Sequence, residues 1–220
     1  CVVGAALALA LLSVRPPAVA QPGGPPRTPD AAPQAPQAPP VPSWAVDRET
    51  RPLTVAALNA NAKVVAQEHF SLTCGHCAAF AKTTFPQIKE KLIDTGKIRL
   101  VYRDFPLDQV ALLAAQVARH LPVERYEPFV LALLSTQDRW AFNRGANPTE
   151  ELWKMAALAG MGRPAFDKAV ADTALRDWIL KEAQADQERW KIDSTPSFVV
   201  NGQKYAGDMG FEAFLKLIPG

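Results

Sequence analysis

Apolar and polar positions divide this chain into stretches of different character. Val2 to Val14 is apolar apart from one serine, a run too short to span a bilayer comfortably. Gln21 to Ser43 shows no period at all. From Lys63 onward the pattern is that of a folded protein. Lys63 to Ser71 (KVVAQEHFS) is rich in β-formers and reads as a strand. At Cys74 the period lengthens: Ala78, Phe80, Ala81, Ile88 and Leu92 mark a helical stretch that Gly96 stops. Pro86 lies inside it and is expected to kink it, having no N–H for the helix ladder. Lys97 to Phe105 (KIRLVYRDF), bounded by Gly96 and Pro106, reads as a second strand. Strand, helix and strand in that order make a βαβ unit with a parallel pair.

From about Asp108 to Lys191 the helical period holds throughout. Val110, Leu113, Ala114 and Val117 make one stripe; Tyr126, Phe129, Val130 and Leu133 make another. Asn147-Pro148-Thr149-Glu150 has an N-cap with proline in the first turn, leading into Leu152, Met155, Ala156 and Ala159 before Gly160. Two more helical segments run from Ala165 to Asp172 and from Leu175 to Trp190. These stripes read as core packing, and none is assigned a ligand. The β pattern returns at Ser197 to Val200, Asn201-Gly202 is a strong hairpin signal, and Gln203 to Ala206 supplies the returning strand. Phe211 to Ile218 closes the chain as an amphipathic helix. The predicted order is βαβ, helical insertion, β-hairpin, helix: an α/β fold with an all-helical insert.

Composition changes that picture mainly at the N-terminus. The chain has 220 residues, 48% of them apolar, and a formal net charge of +2, which suits one globular domain with something extra. Near-balanced charge without a basic stripe argues against a nucleic-acid partner. Arg15-Pro16-Pro17 and then Ala18-Val19-Ala20 follow the apolar run, a small-x-small cleavage pattern. Residues 1–20 are therefore expected to be the tail of a secretory signal cut after Ala20, with an uncleaved membrane anchor as the alternative. The positive segment of such a signal would precede residue 1. Cys1 precedes the apolar run, whereas a lipidated cysteine follows it, so Cys1 is given no function. Nine of the 21 residues from Pro22 to Pro42 are proline. Residues 21–49 are expected to be an extended linker, whose proline-rich part reaches about 65 Å at ~3.1 Å per residue. Its Pro-x-x-Pro spacings would otherwise be ligands for a partner domain.

Beyond Cys1 the chain has two cysteines, Cys74 and Cys77, in Cys74-Gly75-His76-Cys77. A secreted domain stapled by disulfides would carry more, scattered along the chain. A Cys-x-x-Cys pair in the first turn of a helix serves redox chemistry. The first sulfur sits where unpaired N–H groups and the helix dipole favour negative charge, and the second, one turn on, can close a disulfide with it. Cys74 is therefore expected to be an exposed, low-pKa nucleophile and Cys77 the resolving thiol. His76 is expected to supply a further donor or positive charge to the Cys74 sulfur. A zinc half-site is the main alternative. Structural zinc wants four N/S ligands, and besides these cysteines there are only His69, His76 and His120. Thr195-Pro196 opens a strand, where proline is tolerated. Glu68 is an acidic residue in a β-run: either an exposed edge position or, if buried, a high-pKa carboxyl able to take the proton of Cys77.

Glu68 to Phe80 (EHFSLTCGHCAAF), Asp94 to Asp108 (DTGKIRLVYRDFPLD) and Ile192 to Gly207 (IDSTPSFVVNGQKYAG), in that order, resemble the DsbA family of bacterial periplasmic disulfide oxidoreductases. The branch seen in alphaproteobacteria is the nearest in pattern, and the likeness runs from about residue 50 to residue 220. The resemblance implies a thioredoxin-like fold interrupted by an all-helical domain. Its blocks would be residues 50–107 with the motif, the insertion 108–191, and residues 192–220. It implies oxidation of cysteine pairs in newly exported proteins in the periplasm, followed by reoxidation by a membrane quinone-linked partner. Position by position, Cys74 resembles the nucleophile, Cys77 the resolving cysteine, Pro196 the cis-proline with Thr195 before it, and Glu68 the buried carboxylate. In the thioredoxin architecture such a proline packs against the active-site disulfide. Gly75-His76 departs from the Pro-His pairing frequent in DsbA-like proteins and matches that of eukaryotic disulfide isomerases. His120 and Ala169 stand where some relatives carry a second disulfide. The expected protein is a monomeric dithiol–disulfide oxidase whose redox group is the Cys74–Cys77 disulfide, with no metal or organic cofactor. The rivals are an isomerase or reductase of the same fold, a redox-dead chaperone using the groove beside Pro196, and a Cu(I) carrier.

Overall fold

The computed structural model describes residue 62 and residues 64–218, so the expected signal segment 1–20 and linker 21–49 lie outside the described residues. Strand β1 (Val64–Phe70) leads through a short turn into helix α1 (Gly75–Thr83), which is followed directly by α2 (Phe85–Ile88). The sequence predicts one kinked helix here, but the chain breaks at Thr84. Pro86 then falls in the first turn of α2, where a missing N–H is no loss. A turn of π-helix, Lys89–Ile93, follows; the Asp94 N–H donates to the Lys89 carbonyl at 2.8 Å to close it. Apolar spacing does not announce such a widening. Gly96, at φ +74°, turns the chain into strand β2 (Ile98–Asp104).

Six helices separate β2 from β3 along the chain: α3 (Gln109–His120), α4 (Val123–Ser135), α5 (Gln137–Trp140), α6 (Pro148–Leu158), α7 (Arg163–Ala171) and α8 (Thr173–Trp190). Three start on side-chain caps, where Asp108, Asn147 and Asp172 accept the backbone N–H groups of Ala111, Thr149 and Leu175. Strand β3 (Ser197–Val200) then pairs antiparallel with β1, and β4 (Gln203–Ala206) antiparallel with β3. Between them Asn201 and Gly202 take φ of 52° and 78°, the paired left-handed geometry of a tight hairpin. Helix α9 (Phe211–Leu215) stops short of the predicted end at Ile218.

The sheet order is β2-β1-β3-β4, with β1 and β2 parallel. This is the thioredoxin-like fold with a helical insertion between β2 and β3. Alternation along β1 sends Val64, Ala66, Glu68 and Phe70 to one face. Tyr102 stands in register with Glu68 there, and Phe198 pairs with Glu68 from the other side. That face is closed by aromatic contacts: Phe80 of α1 on Phe198 at 4.8 Å, and Tyr126 of α4 on Tyr102 at 6.0 Å between ring centroids. The opposite face carries His69 and Arg103 onto α8. There Asp186 lies 3.2 Å from His69 Nε2 and accepts from Arg103 Nε at 2.8 Å. A buried Arg119–Asp104 pair ties α3 to the end of β2.

Candidate active site

β1 ends at Phe70, and the turn that follows is stitched in place by short polar contacts. The Cys74 N–H donates to the Ser71 carbonyl at 3.1 Å, and Thr73 Oγ1 donates to Asp108 Oδ2 at 2.6 Å. Cys74 is the N-cap of α1: its backbone is extended, and its carbonyl accepts the Ala78 N–H at 3.1 Å. The Cys74 sulfur therefore occupies the place where a capping oxygen would meet the unpaired N–H groups of the helix. Gly75 and His76 are exposed, while Cys77 is completely buried one turn on. A Cβ on Gly75 would meet nothing within 4 Å, so space does not demand glycine there.

The second part of the site arrives from the far end of the chain. The Thr195–Pro196 bond is cis, and the Thr195 carbonyl accepts the Cys74 thiol at 3.2 Å. Thr195 is buried. This covering corrects one expectation. Cys74, predicted to be exposed, shows only 8% of its surface, because the Thr195 peptide lies over its sulfur. Both cysteines are free thiols.

The two sulfurs are made chemically unequal. Cys74 is held far below an ordinary thiol, at about 5, chiefly because the Cys77 thiol donates to it. Burial opposes that shift; the Thr195 hydroxyl and the backbone N–H groups of Cys77 and His76 add to it. Cys77 is pushed strongly upward by burial first, then by its donation to Cys74 and by the proximity of Glu68. Glu68 is 2% exposed and lies on an interior strand, so it is not an edge residue. Burial lifts its carboxyl to about 8.

His76 behaves differently from expectation. Its side chain is 75% exposed, and Nδ1 lies 3.2 Å from Asp208 Oδ1. The ring thus faces an acid across the groove, and His76 reaches the Cys74 sulfur through its backbone N–H. Three residues near the site carried no sequence signal. Asp208 partners His76; Tyr102 places a buried hydroxyl without a partner on the Glu68 face; Gln137, from α5, donates to the Leu72 carbonyl at 2.8 Å and the Cys74 carbonyl at 3.0 Å. Further off, His120 Nε2 lies 2.9 Å from Asp172 Oδ2, and Gln116 donates to the Ala169 carbonyl at 3.3 Å. Those contacts join α3 to α7 and its end, where the resemblance places a lost disulfide. Among the described residues, no group of three or more His, Cys, Asp or Glu side chains is arranged to hold a metal, and no helix is long and apolar enough to cross a membrane.

An acidic thiol beside a buried, high-pKa one can exchange disulfides with another molecule. The acidic sulfur attacks or leaves readily, and the buried one resolves the mixed disulfide. Known proteins resemble the chain in the same terms. A family model described as thioredoxin matches residues 54–219. A Rickettsia bellii protein named as a candidate protein-disulfide oxidoreductase is 32% identical over 145 residues, which are 66% of this chain and 55% of that protein. The chain thus spans about half the length of the curated relatives it matches. The crystal structure of Wolbachia pipientis alpha-DsbA1 aligns with 73% of this chain and 86% of its own, at 31% identity and a TM-score of 0.67. A Novosphingobium aromaticivorans structure described as a protein-disulfide isomerase shares the fold at 21% identity, covering 73% of this chain and 95% of that one with a TM-score of 0.64.

Proposed function

This chain belongs to the thioredoxin family, among its DsbA-like members, and from that premise we propose that it oxidises cysteine pairs of other proteins through Cys74 and Cys77. The supporting observation is the inequality of the two thiols, about 5 for Cys74 against a strongly raised Cys77. The enzyme starts as the Cys74–Cys77 disulfide. A substrate thiolate attacks the Cys74 sulfur, the bond between the two cysteines breaks, and Cys77 leaves with the electron pair. Because Cys77 is a strong base, its departure needs a proton, and the protonated Glu68 beneath it is the acid in place. The second substrate thiolate then attacks its partner sulfur in the mixed disulfide, and Cys74 leaves as a stable thiolate. Two electrons have passed from the substrate pair to the enzyme pair. A thiol of low pKa leaves fastest, so this arrangement favours release of oxidised product.

The substrates of this reading are unfolded or folding exported proteins, and the place of action is the periplasm. A membrane quinone-linked reoxidase would restore the disulfide. The chain acts as a monomer, and the cysteine pair is its whole redox group. An isomerase or reductase role is the second reading, favoured by Gly75-His76 and by the His76 ring facing Asp208 rather than the sulfur. Redox equilibrium against glutathione, with thiolate absorbance followed against pH, separates the readings. The oxidase reading expects one sulfur titrating near 5 and a potential nearer the ~−120 mV of strong oxidants than the ~−270 mV of thioredoxin. A potential at the reducing end gives the reductase reading, and no titration at all leaves a binding module.

A further inference from the structure

We propose that Gln137 is a positioning residue of this redox site, its side-chain amide holding the two carbonyls that frame Cys74. The inference rests on the thiol–disulfide reading above. Gln137 begins α5, a single turn with its backbone held firmly. Trp140, almost fully buried, donates its indole N–H to the Leu133 carbonyl at 2.8 Å, and the Gln137 carbonyl accepts from the N–H groups of Ala141 and Phe142 at 2.9 and 3.0 Å. From that anchored turn the side chain, with the residue only 9% exposed, leaves the insertion and enters the active-site turn. It donates to Leu72 O at 2.8 Å and to Cys74 O at 3.0 Å.

The chemistry of those partners fixes the arrangement. Both are carbonyl oxygens, so the amide must present its NH2 group; its own oxygen would face two acceptors. Two protons meet two acceptors, and none is left over. The Cys74 carbonyl also accepts the first ladder bond of α1, from the Ala78 N–H, so the amide bridges the loop before the cysteine to the first turn of the helix. Between the bridged carbonyls stands Cys74, whose sulfur depends on the N–H groups of His76 and Cys77 that the same turn aims. Without the amide, two carbonyls in a buried turn lose a donor, the turn relaxes, and those N–H groups lose their alignment. Negative carbonyl ends close to a developing thiolate are also no longer offset.

A second glutamine provides an internal comparison. Gln116 is also buried and also donates to two backbone carbonyls, those of Ala169 at 3.3 Å and Asp172 at 2.9 Å, with both partners inside the insertion. The test compares purified Gln137→Met, Gln137→Glu and Gln116→Met with the parent by thiolate titration and by equilibrium against glutathione. Gln137→Met should raise the Cys74 midpoint by about one pH unit and move the equilibrium about tenfold toward the disulfide. Gln137→Glu should move it at least as far, since a carboxylate has no proton to offer those carbonyls. Gln116→Met should lower the melting temperature and leave both redox readings unchanged. The proposal is overturned if the folded Gln137 variants stay within about 0.2 pH unit and twofold of the parent. It is equally overturned if Gln116→Met moves the readings as much. A parent that fails to titrate against glutathione overturns the redox reading itself, and this inference with it.

Discussion

Replacing Glu68 with Gln should make the reduced protein gain stability relative to the parent as pH rises toward neutrality. The folded Glu68 carboxyl holds its proton to about 8, whereas an unfolded one releases it near 4.5. The folded state therefore binds more protons across that window, and stability falls as pH rises through it. The favourable contribution is complete below 4.5 and has been lost by the time pH passes 8. From pH 4.5 to pH 7 the loss is about 3 kcal/mol, at ~1.4 kcal/mol per unit and allowing for half-ionisation at the lower limit. A glutamine side chain in its place has no such ionisation. Whatever fixed cost its buried amide carries is the same at both pH values and cancels in the difference. Cys77 and Tyr102 are both raised and stay protonated throughout, while Cys74, at about 5, and Glu127, pushed up to about 7 by burial, titrate in both proteins and drop out of the difference. Urea unfolding of the two reduced proteins at pH 4.5, 5.5 and 7 measures the effect directly. The stability of Glu68→Gln relative to the parent should grow by roughly 3 kcal/mol over that range. Parallel pH profiles would refute the reasoning, because a carboxyl that costs nothing to ionise cannot be a buried, protonated acid.

Glu68→Gln should also slow substrate turnover near pH 7 while leaving the fold intact, as followed by oxidation of a reduced test protein. Cys77→Ala should accumulate mixed disulfides on non-reducing gels, since the covalent intermediate loses its intramolecular exit; Cys74→Ala should accumulate none. Thr195→Val removes the hydroxyl that supports the Cys74 anion and should raise its thiolate midpoint by a fraction of a unit to about one unit, read by absorbance against pH.

Features set by local chemistry were legible in the sequence. The hairpin ends, Ser197–Val200 and Gln203–Ala206, were readable because Asn201-Gly202 fixes a tight turn from within. The insertion was legible because long helices repeat their apolar stripe several times. Features set by contacts distant in sequence were not. Thr84 ends α1 through backbone angles that no side-chain pattern reports. The four residues of α5 are too few to show a period. Gln137 reads as an ordinary polar residue until the fold brings it 63 positions back to Cys74. The direction of the His76 ring needed Asp208, and the covering of Cys74 needed the Thr195 peptide.

The separation of 121 positions in sequence from Cys74 to the carbonyl above its sulfur also orders events in time. A chain emerging from its N-terminus presents Cys74 and Cys77 well before the strand that completes their pocket has been made. β1 can pair with β2 early, but its other neighbour, β3, waits for the whole insertion. Until then Cys74 lacks Thr195 and the cover that its peptide provides. The helices between them shorten the wait in space, since a collapsed insertion closes a smaller loop than an extended one. Reactivity of this kind belongs to the finished molecule. A copy interrupted before residue 195 has both cysteines and still lacks part of what makes the first of them acidic.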